Sequence, residues 1–256
     1  MNIDTAKINA GFLFLSMLAL AACGGGGGDG GAAAPLQTIA FLRFDSSQFG
    51  QSDLFLVKED GSGLVPLATS NDNEAFVAVT AGGRVIFRRS VLGGAQNDLY
   101  SIRPDGSDLQ PLATTGDDEV FLSLTAGGRV IFRRSVGGTQ FDLYSINADG
   151  TGLVPLAPSA DSEFFHSVTP GGRVIFHREG GDTQTDLYSI NADGTSLVPL
   201  ATSTDDEAFA AATAGERVIF SRLVGTQNDL YSINVDGTGL VPLATAADNE
   251  SFEGVF

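Results

Sequence analysis

The chain has 256 residues, with 31 acidic against 14 basic side chains, 33 Gly, one Cys, two His and no Trp. A hydrophobic share of 43% with only 18% charged residues is a folding composition, and the length allows a sizeable core. The formal net charge of −17 argues against nucleic acid and anionic membrane surfaces as partners, because binding phosphate needs Lys and Arg. One Cys excludes an internal disulfide framework, and one Cys with two His leaves too few soft ligands for an ordinary zinc site.

Residues 1–22 carry Lys7 and then an apolar run from Ala10 through Leu20, too short to span a bilayer, which reads as a signal-peptide core. The run ends in Leu20-Ala21-Ala22-Cys23, which resembles the bacterial lipobox, in which the Cys is acylated and becomes the new N-terminus. The resemblance implies a lipoprotein anchored to the membrane through Cys23. Gly24, rather than Asp, follows the Cys, and that resembles lipoproteins sent to the outer membrane. Residues 23–35 form a Gly-rich tether with a reach of about 20 Å. The expected location is the cell envelope, facing the periplasm or the cell surface.

From Leu36 to Phe256 one unit repeats five times. Asp-Leu-Tyr-Ser-Ile begins at Asp98, Asp142, Asp186 and Asp229, and a divergent copy begins at Asp53, giving spacings of 45, 44, 44 and 43 residues. Each full unit holds four short apolar runs separated by turn residues. In the second unit these runs are Phe76–Thr80, Arg84–Arg89, Asp98–Ile102 and Leu109–Ala113. Four antiparallel strands in about 44 residues make a propeller blade. The fold class is therefore all-β: a five-bladed β-propeller of four-stranded antiparallel blades. Thr38–Arg43 aligns with the second run of a blade and Glu250–Phe256 with a first run. The expectation is that the C-terminal strand pairs into the first blade and closes the ring, which removes two exposed edges.

Thr169-Pro170-Gly171-Gly172-Arg173-Val174-Ile175-Phe176, followed by Asp186-Leu187-Tyr188 and Asp193-Gly194, resembles the TolB-type (WD40-like) β-propeller repeat. The resemblance covers 36–256 and implies the propeller fold. It carries less about function, since propellers serve many.

Three charged positions do not vary among the units. They are the Glu two residues before a Phe (Glu74, Glu119, Glu163, Glu207, Glu250), the Arg ending the second strand (Arg43, Arg89, Arg134, Arg178, Arg222) and the Asp opening the third (Asp53, Asp98, Asp142, Asp186, Asp229). In an up-and-down blade all three lie at one end, so each blade is expected to form a Glu-Arg-Asp clasp, the planar fork of Arg being suited to two carboxylates. Glu250, Arg43 and Asp53 are expected to form the closing clasp. A fourth position, Asp72, Asp117, Asp161, Asp205 and Asp248, completes an Asp-x-Glu motif in the loop between blades. Two readings stand: a ring of carboxylates binding a cation such as Ca2+ or a cationic partner segment, or five Asp that each cap their own turn. The Asp-Gly pairs, such as Asp149-Gly150, lack the further carboxylates of a calcium loop and read as hairpin turns.

His166 and His177 read as ordinary substitutions at strand positions where neighbours carry Val77 or Leu122 and Arg88 or Arg133. No nucleophile elbow such as Gly-x-Ser-x-Gly is present, and acid and base carboxylates need unlike environments, which near-identical blades do not supply. The expectation is a monomeric, non-catalytic binding or scaffold module for an envelope protein, without a cofactor. The alternative is a lectin-like propeller whose near-identical blades bind glycan by avidity, and an enzyme acting on glycan ranks behind both.

Overall fold

The computed structural model describes residues 36–45, 51–91, 94, 96–179, 185–246 and 248–255. The signal peptide, Cys23 and the tether lie outside the described residues. Among the described residues there is no helix, and nineteen strands form five antiparallel sheets. The first sheet has three strands, β1 (Thr38–Asp45), β2 (Gln51–Lys58) and β3 (Val65–Ala68). The second has four: β4 (Asn73–Val79), β5 (Val85–Ser90), β6 (Asn97–Ile102) and β7 (Gln110–Ala113). The third follows with β8 (Asp118–Leu124), β9 (Arg129–Val136), β10 (Gln140–Asn147) and the two-residue β11 (Val154–Pro155). The fourth is β12 (Ser162–Val168), β13 (Arg173–Glu179), β14 (Thr185–Asn191) and β15 (Val198–Ala201). The fifth is β16 (Asp206–Ala212), β17 (Arg217–Val224), β18 (Gln227–Asn234) and β19 (Val241–Ala244). Each sheet is ordered by hairpins alone, and the architecture is that of a five-bladed β-propeller.

Period-2 alternation directs opposite faces of each blade to opposite neighbours. The second strands show this directly. Ile86 packs into the core between the second and third blades, while Val85 and Phe87 pack into the core between the first and second. Four such interblade cores repeat, centred on Phe87, Phe132, Phe176 and Phe220, each fully buried. Each of these Phe stacks on the Tyr of the adjacent Asp-Leu-Tyr strand at 5.5–5.6 Å between centroids. The Asp-Gly turns are Asx turns: Asp105, Asp149, Asp193 and Asp236 each accept the N–H two residues on at 2.9 Å, and the Gly that follows takes a positive φ near 81°.

A second set of contacts ties each blade to the next at the end opposite the clasps. Arg84, Arg129 and Arg173, at the start of the second strands, donate through Nε to Ser101, Ser145 and Ser189 at 3.1 Å. Those buried hydroxyls in turn donate to the carbonyls of Ala148, Ala192 and Val235 in the following blade. The first blade has Leu56 where the others have this Ser, and Thr38 where they have this Arg.

The expected closure by the C-terminal segment differs from what is found. Residues 248–255 belong to no strand, and the first sheet remains three-stranded. The physical reason is local anchoring. Glu250 donates its N–H to Asn228 O at 2.9 Å, and Asn228 N–H bonds Asn249 Oδ1 at 2.9 Å, which holds the segment against β18 rather than β1. Both terminal faces stay open as a result: Leu243 is 51% exposed where its counterparts Leu112 and Leu156 are 4% and 1%, and Ile39 is 41% exposed where Val85 is 2%.

One substitution at equivalent places tests this gradient. Leu156→Ala is expected to cost about 2–5 kcal/mol in denaturant unfolding, as for a buried Leu that leaves a cavity. Leu243→Ala, at the same position of the last blade, is expected to cost below about 1 kcal/mol. Equal costs would show that the fifth blade is covered in solution.

Candidate functional site

Pairing register assembles the clasp. Glu74 lies opposite Arg89 and Arg89 opposite Asp98, and the same order holds for Glu119-Arg134-Asp142, Glu163-Arg178-Asp186 and Glu207-Arg222-Asp229. The first strand of each blade therefore starts earlier than its apolar run suggests, at Asn73 rather than Phe76 in the second, because Glu74 is a ladder residue. The Arg Nε to Glu Oε1 distances are 3.0, 3.3, 3.6 and 2.9 Å in the second to fifth blades. The four Glu side chains are fully buried, and the Arg side chains are 14–20% exposed. Each guanidinium lies over the Tyr of its blade, 4.4–5.0 Å from the ring centre, a cation–π contact.

The clasp Asp is engaged by local side chains. Gln96 donates to Asp98 and Gln140 to Asp142 at 3.1 and 2.8 Å, and these Gln also reach the carbonyls of Thr115 and Ser159 in the next interblade loop. Tyr188 and Tyr231 hydroxyls donate to Asp186 and Asp229 at 3.3 and 3.4 Å. Burial raises the Asp98 pKa above the usual carboxylate value, against the Gln96 hydrogen bond and the Arg89 charge, which lower it.

The closing clasp is divided. Arg43 pairs with Asp53 across β1 and β2 and lies 4.1 Å from the Phe55 ring centre, while Glu250 Oε1 accepts from Ala246 N at 3.0 Å on the far side of the fifth blade. The anchoring of Glu250 to Asn228 accounts for this separation.

A hydroxyl four residues before each clasp Glu escaped sequence reasoning. Ser70, Thr115, Ser159 and Ser203 donate to Glu74, Glu119, Glu163 and Glu207, and the same oxygens accept the N–H of Asp72, Asp117, Asp161 and Asp205 at 3.1–3.2 Å. The turn is thus capped by the hydroxyl and not by the Asp side chain, which corrects the capping alternative. The signal was a Ser/Thr-x-x-x-Glu spacing, broken in the fifth copy by Ala246.

The five Asp that precede the clasp Glu lie in equivalent loops at this end, one per blade. Asp72, Asp117, Asp161 and Asp205 are half-buried and Asp248 is exposed. Asp117 Oδ1 accepts from Gly137 N at 3.3 Å. The charge of Asp72 is felt at Asp98, whose pKa it helps to raise. Among the described residues no group of three or more His, Cys, Asp or Glu is placed to hold a metal ion, so the loops offer carboxylates singly.

In each blade the second carboxylate oxygen of the clasp Glu is buried without a hydrogen-bond partner. Glu163 also has the longest ion pair, 3.6 Å. Burial pushes its carboxyl up to about 7, against the Ser159 hydrogen bond, with Asp142 raising and Arg178 lowering it. The unfolded chain holds this proton only below about 4.5, so the folded state binds it more tightly. The stability it contributes is complete below 4.5 and is lost as pH rises through about 7. The gap in Tm between Glu163→Gln and the parent is therefore expected to widen in favour of the variant from pH 5 to pH 8. A gap that does not change with pH would refute this.

No protein-family model matches the chain, and no curated protein matches it in sequence. Solved structures do match in shape. Dipeptidyl peptidase 4 from Porphyromonas gingivalis superposes with a TM-score of 0.58 at 10% identity, over 75% of this chain and 29% of that one. A structure from a study of two prolyl endopeptidases gives 0.54 at 13% identity, over 81% and 33%. TolB from Acinetobacter baumannii gives 0.43 at 14% identity, over 83% and 52%, a superposition too loose to build on. This chain spans about a third of the peptidases it matches and about half of that TolB. At these identities the likeness is one of fold, and the fold is the β-propeller that the TolB-type repeat implied.

Proposed function

We propose that this chain is a non-catalytic binding and scaffold propeller of the bacterial envelope, anchored through acylated Cys23, which holds a protein partner through a basic segment laid along the clasp end. One observation carries the reading: every blade sets the same Asp loop on the same buried ion pair. Its hydroxyl cap, Gln bridge and clasp leave Asp72, Asp117, Asp161 and Asp205 partly open to solvent on a rigid support. A row of carboxylates on a chain of net charge −17 focuses negative potential, which attracts and orients a cationic partner. Repetition supplies avidity from weak single sites.

The combined substitution of Asp72, Asp117, Asp161, Asp205 and Asp248 by Asn is expected to weaken binding of an oligo-Arg peptide at least tenfold at 50 mM salt. The parent's affinity is expected to fall as salt rises to 200 mM, through screening. Peptide affinity unchanged in the Asn variant, or glycan binding that survives it, would overturn the reading. Anchoring is tested separately. Cys23→Ser is expected to abolish incorporation of labelled fatty acid and to release the protein from the membrane fraction, and retention of label would exclude Cys23 as the acceptor.

A further inference from the structure

The two histidines of the chain meet in the fourth blade. His166 occupies the point where β12 shifts register against β13, between Phe165 and Ser167. The same shift occurs between Phe76 and Ala78 and between Phe121 and Ser123, and there the extra residue is apolar: Val77 and Leu122 pack against the neighbouring interblade cores. A bulge re-aims one side chain, and here the re-aimed side chain is an imidazole. His177, on β13, stands where Arg88, Arg133 and Ser221 stand in other blades.

The two rings converge through their nitrogens. His177 Nδ1 lies 2.9 Å from His166 Nε2, and His177 Nε2 lies 3.4 Å from Glu179 Oε1. Aromatic rings clamp both imidazoles. Phe164 stacks on His177 at 4.9 Å, and Phe209 of the fifth blade stacks on His166 at 4.5 Å. Phe141 meets Phe164 edge-on at 5.7 Å, under the guanidinium of Arg133. Phe141 and Phe164 also depart from the repeat, which has Asn97, Thr185 and Asn228 at the first position and Ala75, Val120 and Ala208 at the second. Four departures from a near-exact repeat thus fall in a single cluster, where independent drift would scatter them.

We propose that His166 Nε2 and His177 Nδ1 form a two-imidazole site for a tetragonal divalent transition metal, Cu2+ in the first place, with water completing the shell. Geometry selects the ion class. With metal–nitrogen bonds of about 2.0–2.1 Å, a nitrogen–nitrogen separation of 2.9 Å subtends an angle of about 90° at the metal. That is the cis angle of square-planar or tetragonal Cu2+ and Ni2+, and Cu2+ also binds imidazole more strongly than the other divalent ions of its row. Glu179 serves as the outer carboxylate: by accepting from His177 Nε2–H it leaves the lone pair on Nδ1, facing His166. Without metal, His166 Nε2–H donates to His177 Nδ1. On loading, that proton leaves Nε2 and His166 takes one at Nδ1 from water, so both rings stay neutral and no net proton is released. Burial, and then the neighbouring His177, already hold His166 down to about 4, and burial lowers His177, so no proton competes for the ligand nitrogens at neutral pH. His177 keeps 16% of its side chain exposed, so the pair is not sealed from water.

The test is titration of the full chain with Cu2+ in excess glycine, which occupies copper that isolated carboxylates hold weakly, followed by calorimetry and electron paramagnetic resonance. One equivalent is expected to bind with hyperfine coupling to two imidazole nitrogens. H166L and H177R carry the residues that neighbouring blades accept at these places, so both are expected to fold, and each is expected to bind at least tenfold more weakly with coupling to one imidazole. E179Q, which keeps both ligands, is expected to weaken binding by about 10–100-fold. A parent spectrum without two coupled imidazole nitrogens would overturn the proposal whether or not the variants fold, and so would parent-like binding by H166L.

Discussion

A buried carboxylate is the constraint around which each blade is organised. A fully desolvated Glu costs several kcal/mol unless a counter-charge and hydrogen bonds compensate it. The compensation explains most of what does not vary: Arg89 and its equivalents supply the charge, Ser70 and its equivalents a donor, and Tyr100 and its equivalents a ring under the guanidinium. Because the Glu opens the first strand while the Arg ends the second, the pair also sets the register of the hairpin between them. Removing one member would leave the other buried alone, so the group changes as a unit or not at all.

Much of this was legible in the residues. The Asp-Leu-Tyr strings, the Gly-Gly and Asp-Gly turns and the 44-residue period lead to four strands per blade, and the strands lie within a few residues of the apolar runs. The clasp was legible because three unlike charged residues kept their spacing five times. Other features were hidden for physical reasons. Arg84 and its equivalents sit directly after a Gly-rich turn and look like turn solvation, although they brace the Ser that crosses to the next blade. The C-terminal segment resembles a first strand by pattern, yet pattern does not say which edge it will meet, and Asn228 decides that. The contact between His166 and His177 depends on a bulge that has no signature of its own.

The repeat also separates two kinds of residue that a single domain would mix. Positions shared by all blades belong to clasps, turns and interblade cores, where each copy meets the same packing requirement. Positions that differ are relieved of that requirement or have been given another. Leu56 and Thr38 differ in the first blade, where no earlier blade needs to be held. Phe141, Phe164, His166 and His177 differ together in the middle of the array, with neighbours on both sides, and the stack they form spans three blades.

Every interblade core is built from the same two half-faces, and the bonds of Ser101, Ser145 and Ser189 reach one blade forward and no further. Stability in such an array is close to a sum of blade terms and nearest-neighbour terms. The consequence is kinetic. During folding, a blade that docks one unit out of place finds a surface almost indistinguishable from its own, and the mistake is felt only at the ends of the array, where one half-face is left over. Near-identical tandem units are prone to this form of misassembly. The divergent first blade, with Leu56 where every later blade has the crossing Ser, is the one unit that cannot stand in for any other, and it emerges first from the ribosome to mark where counting begins.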